Sequence, residues 1–184
     1  MHTNDPSSGI PPRLLHRPTV GGLVVPYTTL AMPDGRWRFG AIDYARQTTA
    51  FTEKLCQTCG TGLGNRIVFA MRDTDLAELT SHEPGMHPEC AAYSASACPM
   101  LAGRMSHHQH TPTAAHLAAL DLAFHGDPTT ESRLGQPAQR WSLAWASSYR
   151  PYMHPRTKQL AALILPEQLL RVRPITATSG EAAS

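Results

Sequence analysis

The sequence predicts a small single domain of the α+β class, and three observations lead to that prediction. The chain has 184 residues, enough to bury one core. Short runs in which apolar and polar residues alternate, typical of β-strands, occur towards both ends. Runs with helical spacing flank a cysteine pair in the middle. We therefore predict β-hairpins at both ends and a cysteine knuckle plus a helix between them.

The N-terminal hairpin is indicated by two short runs and a turn. Residues 1–18 contain four prolines and no periodicity, so we expect a flexible lead. Residues 27–32 form a strand-like run that ends at Pro33-Asp34-Gly35, a strong turn signal. Trp37 and Phe39 alternate with arginines directly after it, which predicts the second strand.

Helical spacing predicts three helices, and an apolar run predicts a strand between the first two. Residues 43–55 form the first helix, with Asp43 as its N-cap. Residues 66–71 form the strand, and residues 88–97 form a second helix that stops at Pro99. The third helix covers residues 113–124. Residues 72–85 are polar and carry no assignment.

The last third of the chain returns to strand character. Trp141, Leu143, Trp145 and Tyr149 alternate with polar or small residues, which predicts a strand with these side chains on one face. Residues 160–165 are predicted as its partner strand, and residues 177–184 as a flexible tail.

The sharpest chemical signal is a pair of two-residue spacings. Cys56 and Cys59 are separated by two residues and followed by Gly60, which permits the tight turn that lets two thiolates bind one metal ion. His87 and Cys90 repeat that spacing at the start of the 88–97 helix. Three cysteines with one histidine are a standard structural ligand set for Zn2+. We therefore predict a treble-clef-like, zinc finger-like knuckle within a zinc-binding α+β domain that spans residues 19–176.

Two other readings of the cysteines stay open at this stage. The Cys56–Cys59 pair could be a redox couple, or the cysteines could be unrelated and buried. Cys98 is a possible alternative metal ligand, but it lies eight residues beyond Cys90 on the same predicted helix. That spacing corresponds to about 12 Å, too far for one tetrahedral site unless the helix breaks.

A histidine-rich segment offers a different chemistry. His107, His108, His110 and His116 lie close together in sequence, and histidine-rich tracts bind metals. The chain contains no HExxH, GxSxG, GxGxxG or P-loop motif. A solvated loop is therefore the simpler interpretation of this segment.

The segment from residue 133 to residue 173 contains seven basic residues and one acid, Glu167. Tryptophans and tyrosines are interleaved, and aromatic rings flanked by arginines hold single-stranded nucleic acid in many proteins. Arg140, Arg150 and Arg156 are the candidate nucleic-acid-binding residues. The alternative is that the aromatic stripe is core and the arginines are merely solvated.

The cysteine and histidine motifs resemble an uncharacterised family of small actinobacterial and phage-encoded proteins. The resemblance rests on Cys56-x-x-Cys59-Gly60, His87-x-x-Cys90 and Cys98-Pro99, and it is fainter over the rest of residues 20–176. It implies the same metal ligands and leaves the function open, because the family has no assigned activity. Gln57 departs from the pattern, which has an aromatic residue there, and the histidine-rich loop is also foreign to it.

Taken together, these features predict a zinc-stabilised binding module whose partner is a protein or a nucleic acid. The alternative is a metal-dependent, hydrolase-like enzyme that uses His87 or the histidines at 107–116. The net charge of +2 does not by itself indicate nucleic acid. No apolar run reaches the roughly 20 residues of a membrane helix, and we find no signal peptide, so we expect a soluble cytoplasmic protein with no membrane partner.

Overall fold

A computed structural model describes residues 9–107, 118–119, 137 and 139–176. Within these residues there are three α-helices, which are α1 (Tyr44–Thr52), α2 (Asp73–Ala77) and α3 (Pro88–Ala97). The strands are β1 (Thr19–Val20), β2 (Leu23–Val24), β3 (Thr29–Ala31), β4 (Trp37–Ile42), β5 (Ile67–Arg72), β6 (Thr80–Ser81), β7 (Trp141–Ala146), β8 (Arg150–Met153), β9 (Leu160–Leu163) and β10 (Leu169–Pro174). In this part of the chain, none of the helices has the length and apolar character that a membrane span requires.

The strands form four small sheets in which every pairing is antiparallel. Two sheets have three strands, in the orders β10-β7-β5 and β6-β9-β8. The other two are the hairpins β1-β2 and β3-β4. The α+β class is therefore confirmed, with hairpins towards both ends of the chain and the cysteine–histidine residues between them.

Strand β5 separates two hydrophobic clusters and is buried at every position. Because side chains alternate along a strand, Val68 and Ala70 face the cluster that contains the cysteines. Ile67, Phe69 and Met71 face the other cluster, with residues from β7 and β9. The cluster that contains the cysteines (the cysteine-side core) and the other cluster (the far core) thus share one strand.

Local signals in the sequence account for the elements beside the knuckle. The Asp43 carboxylate accepts a hydrogen bond from the Arg46 backbone N–H at 3.1 Å, which confirms the predicted N-cap of α1. Helix α1 ends at Thr52, three residues earlier than predicted. Pro88 occupies the first turn of α3, as predicted, because its missing N–H costs nothing there.

The predicted pairing of the C-terminal strands is wrong. Residues 160–165 contain β9, but β9 pairs with β8 and β6, whereas β7 pairs with β5 and β10. Tyr149 lies beyond the end of β7 and is buried in the far core with Phe69. It therefore does not share a face with Trp141 and Trp145, which pack against the cysteine side. The alternation of residues within a strand does not indicate which distant strand it pairs with.

Two further segments contain structure that the sequence did not predict, and two predicted segments lie outside the described residues. Within the lead expected at residues 1–18, Leu14 is completely buried in the cysteine-side core, so this part packs on the domain. The unassigned residues 72–85 contain α2 and β6. The predicted 113–124 helix and the 177–184 tail lie outside the described residues, except for residues 118 and 119.

Candidate metal centre

Four side chains meet in one buried cluster. Cys56, Cys59, His87 and Cys90 each offer one ligand atom, and these atoms all lie within 4.8 Å of one another. None of the four residues is more than 8% exposed. The structure therefore brings together the two pairs that the sequence spacing identified, and it forms a compact group of three cysteines and one histidine able to hold a metal ion.

The knuckle that carries the first pair is closed by backbone hydrogen bonds. The Gly60 N–H donates to the Cys56 carbonyl, and the Cys56 N–H donates to the Thr61 carbonyl, both at 2.8 Å. Gly60 adopts φ +77°, a left-handed conformation in which glycine carries no steric penalty. The Gln57 N–H donates to the Gly85 carbonyl at 2.9 Å, which ties the knuckle to the segment that precedes the second ligand pair.

The second pair sits at the N-terminus of α3. His87 is the N-cap residue and Cys90 lies in the first turn, so the partial positive charge of the helix end faces the sulfur atoms. The Nδ1 atom of His87 is 3.5 Å from the Cys59 sulfur. Its Nε2 atom is 3.0 Å from the Gly62 carbonyl oxygen, to which Nε2–H donates. Nδ1 is thereby left free to bind a metal, an arrangement typical of metal-ligating histidines.

The crowding of thiols shifts their pKa values in opposite directions. Hydrogen bonds from Cys59 and then Cys90 lower the pKa of Cys56. Contacts with Cys56 and then Cys59 raise the pKa of Cys90, because a second thiolate would lie beside the first. A hydrogen bond with Cys56 raises the pKa of His87. The pKa values of Cys56 and Cys90 thus move apart because one thiolate disfavours a second beside it, and a divalent cation bound among the ligand atoms would relieve that repulsion.

The four clustered side chains fit a metal site better than a redox pair at Cys56 and Cys59 or a set of unrelated buried cysteines. All four cysteines are free thiols, so Cys56 and Cys59 do not form a disulfide. The residues after Cys59 lead through an isolated bridge between Leu55 and Gly62 into β5, not into a helix as in thioredoxin-like pairs. Cys98 is the C-cap of α3 and takes no part in the cluster.

Of the histidine-rich segment, only His107 lies within the described residues. It is exposed, and its Nδ1 atom is 3.0 Å from the Ser106 hydroxyl. His108, His110 and His116 lie outside the described residues, as does Arg133.

The three predicted nucleic-acid-binding arginines differ in their surroundings. Arg140 is 91% exposed, and its guanidinium is 3.8 Å from the Asp73 carboxylate. Arg156 donates to Glu78. Arg150 is exposed at the start of β8. Two of these three positive charges therefore have a carboxylate beside them.

The structure also contains a buried charged network that sequence reasoning missed. Arg72 donates to both carboxylate oxygens of Asp75, at 2.7 and 2.8 Å. The Nδ1 atom of His82 is 3.8 Å from Asp75, and the His82 ring packs 5.1 Å from the ring of His154. The Nε2 atom of His154 is 3.3 Å from Glu78. No spacing in the sequence predicts this network, because its members come from β5, α2 and the loops that follow α2, β6 and β8.

Fold and site together define a small α+β protein built around a buried cluster of three cysteines and one histidine. Comparison of the chain with protein-family models, with curated proteins and with solved structures finds no match. The function therefore has to be argued from the site and the surface of this chain.

Proposed function

We propose that the protein is a zinc-stabilised binding module, in which the metal holds the fold and the partner binds elsewhere on the surface. The observation that carries this proposal is the meeting of four buried ligand atoms within 4.8 Å. Four protein ligands complete the tetrahedral shell that structural zinc prefers, which leaves no position for a substrate or an activated water. In this role Zn2+ supplies charge neutralisation and cross-linking, and Cys56, Cys59, His87 and Cys90 hold it.

The treble-clef interpretation is part of the same proposal. In a treble clef, a knuckle with two ligands is followed by strands and then by a helix whose first turn provides the other two. Here the knuckle at residues 56–59 is followed by β5, the short helix α2 and β6, and α3 begins at the second ligand pair. An isolated antiparallel bridge between Val68 and Met86 joins β5 to the residue that precedes His87. This order of elements supports the comparison.

The competing function is a metal-dependent hydrolase. Such an enzyme needs three protein ligands and one water on the metal. The Nε2–H of His87 donates to the Gly62 carbonyl, and Nδ1 faces the sulfur atoms, where it would bind the metal, so a metal-bound His87 has no ring nitrogen left to act as an acid or base. This favours a scaffold over catalysis at the cluster.

The free thiols support a reducing compartment, and we propose the cytoplasm as the site of action. Thiolate ligands must stay reduced to bind zinc, and secreted proteins of this size usually pair their cysteines.

Metal content and coordination test the proposal. Purified protein should carry about one Zn2+ per chain, and Cys59→Ser should lose both the metal and cooperative thermal unfolding. Replacement of the metal by Co2+ should give the visible spectrum of a tetrahedral site with three sulfur ligands. Metal-free protein with an unchanged melting curve would refute a structural zinc, and a Co2+ spectrum that changes when a small anion displaces water would favour the hydrolase.

A further inference from the structure

Residues 10–18 pack against the metal centre, and we call this segment the strap. Leu14 is completely buried in the cysteine-side core, the cluster that contains the three ligand cysteines. Ile10 packs against the same cluster. Leu15, the next residue along the chain, is instead 62% exposed. The strap therefore places one large side chain in the core around the candidate ligands and turns its neighbour to solvent.

Polar contacts join the strap to both of the elements that hold the candidate ligands. The His16 Nε2–H donates to the Cys59 carbonyl at 2.9 Å, which ties the strap to the knuckle. Arg13 donates to the carboxylate of Glu89, which lies in the first turn of α3 directly before Cys90. The strap thus bridges the knuckle and α3, which come from separate parts of the chain, although none of its residues belongs to the ligand cluster.

The C-terminal end of the strap is fixed by a different set of contacts. The Arg17 guanidinium donates to the carbonyls of Val25 and Pro26, both at 3.2 Å. The Val25 N–H donates to the Pro18 carbonyl at 2.8 Å. These contacts involve neither the knuckle nor α3, so they would hold this end in place while the contacts of Leu14 and His16 open.

Arg13 also complements the charge of a loaded metal site. Three thiolates around one Zn2+ leave the site with a net negative charge. A hydrogen bond to Glu89 is the main cause that raises the pKa of Arg13, and the nearby sulfur atoms of Cys59 and Cys90 raise it further. The positive charge of the strap therefore favours the thiolate form of the cluster, which is the form that binds a metal.

We propose that the strap controls exchange of the metal, so that a chelating group reaches the zinc and removes it only after the strap has opened. Local opening of a segment costs less free energy than unfolding of the whole domain, and it exposes only the groups that the segment covers. Here those groups include the cluster in which Leu14 is buried. The inference rests on the proposed function, because it gives the strap a role towards the zinc that the four ligands hold.

Transfer of zinc to an excess of the coloured chelator 4-(2-pyridylazo)resorcinol tests the strap. Leu14→Ala in the full, zinc-loaded chain should speed the transfer by about tenfold or more, similar to the effect of losing an outer partner of a metal ligand. Leu15→Ala is the matched control, because the same truncation at an exposed position should leave the rate within about twofold of wild type. His16→Ala removes one hydrogen bond and should speed the transfer by about threefold.

A second comparison separates opening of the strap from a general loss of stability. Ile164→Ala makes a truncation of similar size in the far core, away from the strap. Hydrogen exchange of the β5 amides in the zinc-loaded protein reports opening of the whole domain. In Leu14→Ala, zinc transfer should accelerate more than this exchange does. In Ile164→Ala, zinc transfer should accelerate no more than the exchange. Should Leu14→Ala fail to fold, His16→Ala, which leaves the core intact, takes its place in this comparison.

The outcomes for the strap and for the proposed function are distinct. Equal rates of zinc transfer in Leu14→Ala and Leu15→Ala would overturn the role of the strap. So would a rise in zinc transfer that only matches the rise in β5 exchange. Both results need zinc-loaded protein and leave the structural zinc in place, whereas folded wild type that contains no zinc refutes the proposed function itself.

Discussion

The Nε2 atom of His87 lies 3.0 Å from the carbonyl oxygen of Gly62, and this hydrogen bond decides which ring nitrogen faces the sulfur atoms. A histidine held in this way presents Nδ1 to the cluster without further reorganisation. Under the proposed function His87 is a metal ligand, and two different substitutions of it have different expected outcomes.

His87→Ala should lower the affinity for Zn2+ by more than about 100-fold, since loss of even an outer partner of a ligand costs roughly 10–100-fold. His87→Cys should retain the metal, because four cysteines are also a structural zinc set. Competition with a chromophoric chelator measures both affinities. An unchanged affinity in His87→Ala would remove His87 from the ligand set.

Cys98→Ala should keep the metal. Cys98 ends α3 and lies outside the cluster, so its truncation should cost about 1 kcal/mol or less in the free energy of unfolding. Metal analysis and urea denaturation check this. Loss of zinc in the variant would make Cys98 a ligand in place of one of the other four.

Gly60→Ala should destabilise the protein by about 1–3 kcal/mol, because alanine would have to adopt φ +77° and its β-carbon would press on the Tyr27 ring. Gly62→Ala is the matched control, since nothing lies within 4 Å of a β-carbon there. It should change stability by less than about 0.5 kcal/mol. Thermal or urea denaturation of both variants measures the difference. Equal effects would contradict the close packing of Tyr27 on the knuckle.

Asp75→Asn should destabilise the protein by about 3 kcal/mol at pH 7, because it leaves the buried Arg72 without its charged partner. Asp73→Asn, in the same turn of α2 but 67% exposed, is the control and should cost less than about 0.5 kcal/mol. Denaturation of the two variants side by side measures the difference. A loss as small as that of the control would show that the Arg72–Asp75 pair contributes nothing.

The pH dependence of that difference follows from the pKa of Asp75. Burial alone would raise this pKa, but contact with His82 and the hydrogen bonds from Arg72 outweigh it and lower the pKa to about 2 from 3.8. A lowered folded-state pKa contributes stability that is present above pH 3.8 and is lost as the pH falls through about 2. The contribution of Asp75 should therefore be fully present at about pH 5 and should shrink as the pH falls below 3.8, so the difference in the free energy of unfolding between wild type and Asp75→Asn should be smaller at about pH 3 than at about pH 5. An equal difference at these two pH values would contradict the lowered pKa.

The cluster of Cys56, Cys59, His87 and Cys90 was predictable because its signal is local. Cys56 and Cys59 are separated by two residues within one turn, and Pro88 marks the helix that presents the second pair. The N-cap at Asp43 and the β3-β4 hairpin also rest on neighbouring residues. In each case the residues that form the structure are the ones that carry the pattern.

The remaining features depend on contacts between distant segments. Phe69 pairs with Ala144, and nothing in the sequence around either residue indicates its partner. The charged network around His82 and His154 is assembled only when α2 meets the loop after β8. Leu14 lies in a proline-rich segment without periodicity, so its burial follows from the apolar surface it covers, not from its own sequence context.

Strand β5 has a consequence for the order in which backbone amides exchange hydrogen with solvent. All six of its residues are buried, so these amides should be the slowest to exchange and should do so only when the whole domain opens. Val68 and Met86 donate to each other's carbonyls, at 2.9 and 2.8 Å, directly before the ligand His87. Because withdrawal of the metal is expected to abolish cooperative folding, these two amides should lose protection together with the rest of β5 when a chelator is added. This pair gives deuterium labelling a direct report on occupancy of the metal centre.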